Sequence, residues 1–513
     1  MRIDYVYIEK FKNLKEFRIS FDQSQMNTVL LGQNATGKSN FIEALILIFK
    51  HLDLEENPPQ NFKYEIQYQI AGIGVNISYL EDNPKYEEFS NMGKLPIRKA
   101  ISKTDFFRNK SKYLPKYIFT YYSGLSDRLD KLFWKHQKKF YTEIIKKDFD
   151  KAKLDDLRRL FYVKQTHSFF VLLAFFSLQN IEQKTSDFLI NTLGIEDLES
   201  ILFILKQPSW KNDGDERFWG AKGLVQEFLS ILWDFSLAPI YYNQTIYPDF
   251  RSKGNNKQEQ LYLYLTGKDK LQQFSAKYFK EQDIKPNNTD LFKALESTYI
   301  SELLEEVRVR IRKRVDGEVI FKELSEGEQQ LLTVIGLLIF TREEESLVLL
   351  DEPDTHLNPI WKYDYLHFLN TLVKSEGESE EDQTTHIIIN THDPLVIGSM
   401  DKSQIRIFQK NKETGHTDVI EPEVSPKGLG VAGILTSELF GLKTIVDRET
   451  NELLDERNIL MYKQSIGELT DKGQNRLKEL FEELSQMGFN HNFKDPLYSD
   501  YIIERMKKRQ STL

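Results

Sequence analysis

"LLGQNATGKSN", Leu30 to Asn40, carries the spacing Gly32-x4-Gly37-Lys38-Ser39. Glycine at both ends lets backbone N–H groups close on phosphate oxygens. A lysine there reaches the outer phosphates, and the serine hydroxyl suits Mg2+. The stretch before it, "TVLL" (Thr28–Leu31), reads as a strand. After it the period changes. Phe41, Leu45, Ile48 and Leu52 share one helical face, with Ile42 and Phe49 beside it. Strand, glycine turn and helix in that order make a phosphate-binding loop, with the helix N-terminus aimed at the anion. The candidate nucleotide contacts are Gly32, Gln33, Asn34, Ala35, Thr36, Gly37, Lys38, Ser39 and Asn40. ATP and Mg2+ are the expected cofactors.

Such a loop needs a carboxylate from a neighbouring strand. "SLVLLDEP" (Ser346–Pro353) supplies one. Four apolar residues bury the strand and Asp351 emerges at its end, where with Ser39 it would hold the metal. Glu352 would orient or deprotonate the attacking water. "NTHDP" follows a second buried strand, "HIIIN", and places His392 to hydrogen-bond the γ-phosphate or that water. Glu352 and His392 are the candidate catalytic residues.

"KELSEGEQQLL" (Lys322–Leu332) lies far downstream. Ser325 can cap a helix and bond a phosphate oxygen. Gly327 allows a close backbone approach, and the helix from Glu328 points its N-terminus at an anion. No conventional glutamine stands out between the phosphate loop and this motif. Gln67 and Gln69 are candidates on a strand-like segment.

Composition sets limits. The chain has 513 residues, 40% hydrophobic and 29% charged, a globular profile with room for about two to four domains. Net charge is −9, so any nucleic-acid surface is a local patch. Cysteine is absent, which removes disulfides, cysteine-ligated zinc and a cysteine nucleophile. The longest apolar run, Phe169–Leu178, is about half of the roughly 20 residues that a membrane span needs, and reads as a buried helix. A cytoplasmic protein without membrane association is expected.

Along the chain, residues 2–31 alternate as strands and "FKNLKEF" suits a hairpin. "EDNPKYEE" breaks the strand pattern near residue 82. From there to about 300 the pattern is mainly helical, with "NNKQEQ" (Asn255–Gln260) and "KPNNTD" (Lys285–Asp290) read as loops. "VRVRIRKRV" alternates again: Val307, Val309 and Ile311 face one way, Arg308, Arg310 and Arg312 the other. "SEGESEEDQ" (Ser375–Gln383) reads as an acidic loop. After about 425 the pattern is helical, with Leu477, Leu480, Phe481, Leu484 and Met487 on one face and Gly488 placed to end that helix.

"LSEGEQ" resembles the signature motif of ABC-type ATPases, commonly Leu-Ser-Gly-Gly-Gln, with Glu326 in place of the first glycine and Glu328 in place of the glutamine. With "LLDEPDTHLNP", "NTHDP" and "IEKFKNLKEFRI", the set resembles the RecF/SMC/OLD branch of those ATPases. The resemblance implies an α/β, P-loop head split by a mainly helical insertion. The expected parts are an N-terminal lobe over 1–80, the insertion over 81–300, a C-terminal lobe over 301–424, and a helical region over 425–513. It also implies that Ser325, Glu326, Gly327 and Glu328 contact ATP held by a second copy, so that two heads sandwich two nucleotides.

"LPKYIFTYYSGLSDRL" (Leu114–Leu129), "LRRLFYVKQTHSFFVLLAFF" (Leu157–Phe176), "GILTSELFGL" (Gly433–Leu442) and "DPLYSDYI" (Asp495–Ile502) are similar to the PtuA family, the ATPases of Septu anti-phage systems. Related ATPases accompany some retrons. That resemblance implies a head-to-head dimer, higher oligomers, and a separate HNH nuclease partner of PtuB type. DNA, or a retron reverse transcriptase and its msDNA, are further expected partners. The alternatives are a RecF-like DNA-repair ATPase and a nucleotide-binding scaffold with negligible turnover.

No Asp-x-Asp pair follows His392, and Asp447, Asp455 and Glu456 lie on an apparent helix, so no intrinsic nuclease is expected. Arg128 reads either as a surface arginine beside a packed turn or as a lever for nucleotide state. His167 reads as a core residue. The stretch Lys131–Lys153 interleaves lysines with aromatics, and Lys135, Lys138 and Lys139 are its nucleic-acid candidates. The helices near the end are a candidate surface for the nuclease.

Overall fold

In the computed structural model the described residues are all except 91–96, 125, 147–158, 180–181, 211–212, 247–255, 315–316, 342–344, 374–383 and 488–513. The acidic loop 375–383, Gly488 and the motif 495–502 therefore lie outside the described residues. The strands, in chain order, are β1 (Arg2–Phe11), β2 (Leu14–Ser20), β3 (Asn27–Gly32), β4 (Tyr64–Ile70), β5 (Ile73–Ser78), β6 (Lys85–Ser90), β7 (Ile97–Ile101), β8 (Tyr117–Tyr122) and β9 (Leu160–Val163). They continue as β10 (Ile195–Lys206), β11 (Ile240–Ile246), β12 (Asn256–Leu265), β13 (Leu304–Lys313), β14 (Gly317–Ile320), β15 (Ser346–Asp351), β16 (Thr385–Asn390), β17 (Ile405–Lys410) and β18 (Thr417–Ile420).

The chain forms two compact units, Met1–Gly430 and Val431–Leu513. In the first, the alternating N-terminal segments form an antiparallel sheet, β2-β1-β4-β5-β6-β7. The continuous apolar runs form a second sheet, β18-β17-β3-β16-β15-β8-β9, parallel except at β18. Strands buried on both faces read as unbroken apolar runs, as β15 and β16 do. The helix Lys38–Leu54 lies between these two sheets. It buries Phe41, Ile42, Leu45, Ile46, Ile48, Phe49 and Leu52 in one core with residues of β1, β2, β4, β15 and β16. A helix apolar on nearly every side needs cover on both sides.

On the other side of the parallel sheet, helix Glu326–Thr341 contacts helices His167–Ser177 and Pro359–Val373. Gly336 is required there: a Cβ on it would lie 2.1 Å from Val171. The run from Phe169 is the buried helix expected, and no helix of the described residues is long and apolar enough to cross a membrane. A third sheet, β11-β12-β10-β13-β14, is antiparallel, with helices Gly223–Phe235 and Lys268–Gln282 packed against it.

Residues 81–300 hold more helix than strand, as expected, but also β6 to β12. The break near residue 82 is a hairpin between β5 and β6. Most of "NNKQEQ" begins a strand rather than a loop, because residues 256–260 pair with β11 as the first half of β12. Most consequential, β8 and β9 belong to the parallel sheet. The parallel sheet that carries the phosphate loop therefore takes strands from a segment expected to interrupt it.

One buried polar node joins the phosphate-loop helix to helix Asp130–Ile144. Asp53 accepts from His136 Nε2 at 3.0 Å and meets Arg159 Nε at 3.2 Å. Burial alone would raise its pKa, but the His136 bond and the charges of His136, Lys110 and Arg159 outweigh that and hold it below the ordinary value. A depressed carboxylate stabilises above its unfolded pKa, and that stability is lost as pH falls through the folded one. Asp53→Asn should thus flatten the acid limb of a stability–pH curve below about pH 4. Denaturant midpoints at stepped pH would check it.

The second unit holds helices Arg448–Ser465 and Asp471–Gln486 packed together. Leu477, Leu480 and Leu484 are buried, while Met487 from the expected face is exposed. Asp447 caps the first helix through Thr450, and Glu456 pairs with Arg476 at 2.9 Å.

Candidate functional site

Register brings the motifs to one edge. Asp351 of β15 stands opposite Asn390 of β16 and Tyr122 of β8, and Asn390 stands opposite Leu30 of β3. These are carboxyl ends of adjacent parallel strands, where α/β sheets hold ligands.

β3 ends at Gly32, with φ 139°. A Cβ there would lie 2.2 Å from the Phe408 carbonyl oxygen, and one on Gly37, φ 106°, 2.7 Å from Leu14. Neighbouring chain thus enforces both glycines. Thr36 Oγ1 donates to Gln33 O at 2.8 Å within the loop. From outside, Asn13 Nδ2 donates to Ala35 O at 3.0 Å and Thr417 Oγ1 to Thr36 O at 2.8 Å. Asn40 Nδ2 bonds Asn13 Oδ1 at 2.6 Å. Lys38 Nζ turns back onto the carbonyls of Gly32, 2.6 Å, and Gln33, 3.2 Å. Burial lowers its pKa, and the charges of Glu352 and Asp351 partly counter this.

Ser39 Oγ donates to Asp351 Oδ1 at 3.1 Å, and Asn390 Nδ2 bonds the same oxygen. Asp351 is fully buried, and its Oδ2 has no hydrogen-bond partner. The nearest cation to that oxygen is Arg128, whose Nη2 is 3.7 Å away and whose guanidinium lies 5.4 Å from the Tyr122 ring centre. Burial raises the Asp351 pKa, against bonds from Asn390 and Ser39 and the charge of Arg128. A hydroxyl and a buried, under-bonded carboxylate side by side suit a hard, oxygen-seeking cation, so the residues fit Mg2+. Beyond Asp351, Glu352 has φ 55°, its N–H bonds Asn390 O at 2.8 Å, and its Oε1 is 3.4 Å from His392 Nδ1. His392 is 64% exposed, open to a ligand.

At the signature, Ser325 and Glu328 form a reciprocal cap. Glu328 N–H donates to Ser325 Oγ at 3.2 Å, and Glu328 Oε2 accepts from Ser325 N at 2.8 Å and Oγ at 2.9 Å. Glu328 Oε1 pairs with Lys313 at 2.6 Å. Burial would raise its pKa, but Lys313 and Ser325 hold it below the ordinary value. Glu326 meets His356 Nδ1 at 3.2 Å. A Cβ on Gly327 would lie 2.5 Å from the His356 carbonyl oxygen. That glycine is thus required by a close approach to the His356 backbone. Gln69 bonds Gln23 at 2.8 Å in the antiparallel sheet.

The family described as "AAA domain, putative AbiEii toxin, Type IV TA system" matches residues 212–398, which take in the signature, Asp351 and His392. Septu protein PtuA of Bacillus mycoides (strain KBAB4) is 28% identical over 220 residues, 39% of this chain and 28% of that protein. Protein ea59 of Escherichia phage lambda is 31% identical over 120 residues, 23% of this chain and 21% of ea59. The chain is PtuA-like over the matched stretch and similar to an AAA domain over residues 212–398. The matched stretches span less than a third of either relative's length. An SMC head, solved bound to the C-terminal winged-helix domain of ScpA, aligns over 82% of this chain and 97% of its own at 12% identity. Its TM-score is 0.34, too loose to carry residue detail.

In this PtuA-like chain the nucleic-acid candidates stand apart from the cluster. Lys135 pairs with Glu56 at 2.7 Å, Lys138 lies 5.0 Å over exposed Trp134, and Lys139 is exposed. The rest of the basic stretch, from residue 147, lies outside the described residues. Arg308, Arg310 and Arg312 are paired with Glu306, Glu318, and Asp197 with Glu199, so that face is charge-balanced and is no bare anion surface. His167 is a buried core residue, 3.5 Å from Glu296.

Sequence reasoning missed Asn13, Thr417 and Asn390 as supports of the site. Asn13 follows Lys12, whose φ is 52°, in the β1–β2 turn. An asparagine in a tight turn was the available signal. Asn390 was visible within "NTHDP". Nothing local marked Thr417.

Proposed function

We propose that the chain binds ATP and Mg2+, hydrolyses the ATP, and pairs head to head with a second copy through the bound nucleotides. That pairing would control a separate HNH nuclease in anti-phage defence. The observation that carries the nucleotide reading is the cluster of Ser39, Asp351 and Asn390 beside the phosphate loop. The defence setting and the nuclease partner rest on the likeness to PtuA.

In this reading the loop N–H groups and Lys38 hold the phosphates, after Lys38 leaves the carbonyls it now bonds. Ser39 and Asp351 would hold Mg2+, which supplies charge neutralisation at the phosphates. The Glu352 carboxylate takes a proton from the water that attacks the γ-phosphorus, and the bond to the bridging oxygen breaks. His392, beside Glu352, hydrogen-bonds the γ-phosphate. Ser325 offers its hydroxyl to the partner copy's nucleotide. Residues 1–80 and 301–424, with β8 and β9, form the head; 425–513 is proposed as the nuclease-docking region.

Arg128 holds the metal's place until nucleotide arrives. Arg128→Gln should lower the Mg2+ concentration needed for half-maximal binding of a fluorescent ATP analogue by roughly tenfold. An unchanged Mg2+ midpoint would mean that Arg128 takes no part.

Two carboxylates in the signature favour a second reading, a nucleotide-binding scaffold with negligible turnover. The proposal is tested by weighing the protein in solution with ATP and Mg2+, with EDTA, and with a co-purified HNH protein. A larger assembly only with nucleotide supports it. One mass in all conditions, with no ATP consumed, removes it.

A further inference from the structure

Edge strands invite pairing with other chains, and proteins protect them with charge, shortness or burial. The three sheets have six edge strands among the described residues: β2, β7, β9, β11, β14 and β18. β2 carries Lys15, Glu16 and Arg18; β7 carries Arg98 and Lys99; β14 has Glu318 and β18 has Asp418. β9 has four residues, all buried. β11 differs. "IYYNQTI", Ile240 to Ile246, is seven residues long, carries no charge, proline or glycine, and is exposed through Gln244.

This edge is held firmly. β12 pairs with it along its whole length. Tyr241 Oη donates to Arg217 O at 2.8 Å, and its ring meets Trp219 edge-on at 6.4 Å and Trp233 at 6.2 Å. Tyr242 meets Tyr262 edge-on at 6.3 Å. Ile240, Tyr242 and nearby Leu237 are each more than half exposed. Such a strand is preorganised for a partner strand, with little ordering cost.

Its sequence also matches itself in reverse. Antiparallel pairing centred on Asn243 sets Ile240 against Ile246, Tyr241 against Thr245, and Tyr242 against Gln244. Apolar meets apolar at both ends, a β-branched residue meets an aromatic, and amides meet at the centre. Ile240, Tyr242 and Gln244 share one sheet face and continue it across the seam. The arginines on that sheet are matched by carboxylates, which favours protein over nucleic acid as occupant.

We propose that β11 is a self-pairing edge. Two copies of this chain join there antiparallel about Asn243, and five strands from each run into one continuous sheet. The junction is independent of nucleotide, and so separate from head-to-head pairing.

Wild-type protein in EDTA without nucleotide should show a concentration-dependent dimer by sedimentation. Tyr242→Lys with Gln244→Lys places like charges opposite one another and should raise the dimer dissociation constant at least about tenfold. The chain has no cysteine, so Asn243→Cys gives a lone thiol. Facing residues of antiparallel strands have Cα atoms about 4.5–5.5 Å apart, within disulfide reach. With a mild oxidant, Asn243→Cys should crosslink far faster than Lys410→Cys, an exposed control on β17. ATP-analogue binding by each variant shows that it is folded. A nucleotide-free monomer at all concentrations, or equal crosslinking at both positions, overturns the proposal. So does a double variant that dimerises normally but loses binding to a co-purified protein or to single-stranded DNA.

Discussion

Glu352→Gln should cut ATP turnover at least about a hundredfold and leave nucleotide binding intact, since a positioned base contributes roughly 10²–10⁴. The amide keeps the size of the carboxylate but cannot take a proton. Nothing in the loop's own bonding changes: Lys38, Thr36 and Asn40 make their contacts without Glu352. The change should also weaken the 3.4 Å contact with His392 Nδ1 and leave that ring freer. Phosphate release and fluorescent-nucleotide titration on one preparation read the two effects apart. If turnover survives, the base is elsewhere. If wild-type turnover is already negligible, the scaffold reading gains and hydrolysis leaves the account.

Ser325→Arg should abolish ATP-dependent assembly, weakening it by at least about a hundredfold, because the bulk of the arginine enters the face meant for another copy's phosphates. The structure adds a reason for a strong effect. Ser325 caps its helix and is itself held by Glu328. Replacing it removes the cap, worth about 1 kcal/mol. Glu328→Gln should act the other way: it removes a negative charge from beside the approaching phosphate, and assembly should tighten. Mass measurements at matched ATP would rank the three proteins. Normal assembly of Ser325→Arg would end the sandwich reading.

The phosphate loop, Asp351 and the buried strands were legible because each depends on local pattern. Glycines at fixed spacing and an apolar run ending in a carboxylate need no distant partner to be recognised. β8 was not legible as part of the core. Its place beside β15 is set by a pairing some 230 residues away in sequence, and "YIFTYY" fits a buried strand or a buried helix equally well. Of the third sheet only β13 was legible, and its other strands were missed for another reason. Only part of β12 alternates, and β11 is apolar, aromatic and polar by turns with no buried face to impose a period. The contact of Arg128 with Asp351 depends on β8 ending opposite Asp351, so it was hidden with the strand.

Lys313 ends β13, and its ammonium clasps Glu328 at the start of the signature helix. That tether fixes where the Glu328 carboxylate can go. Should Ser325 exchange Glu328 for an incoming phosphate, the freed carboxylate still hangs on Lys313. The start of the signature helix would therefore stay tied to β13 whichever partner Ser325 holds.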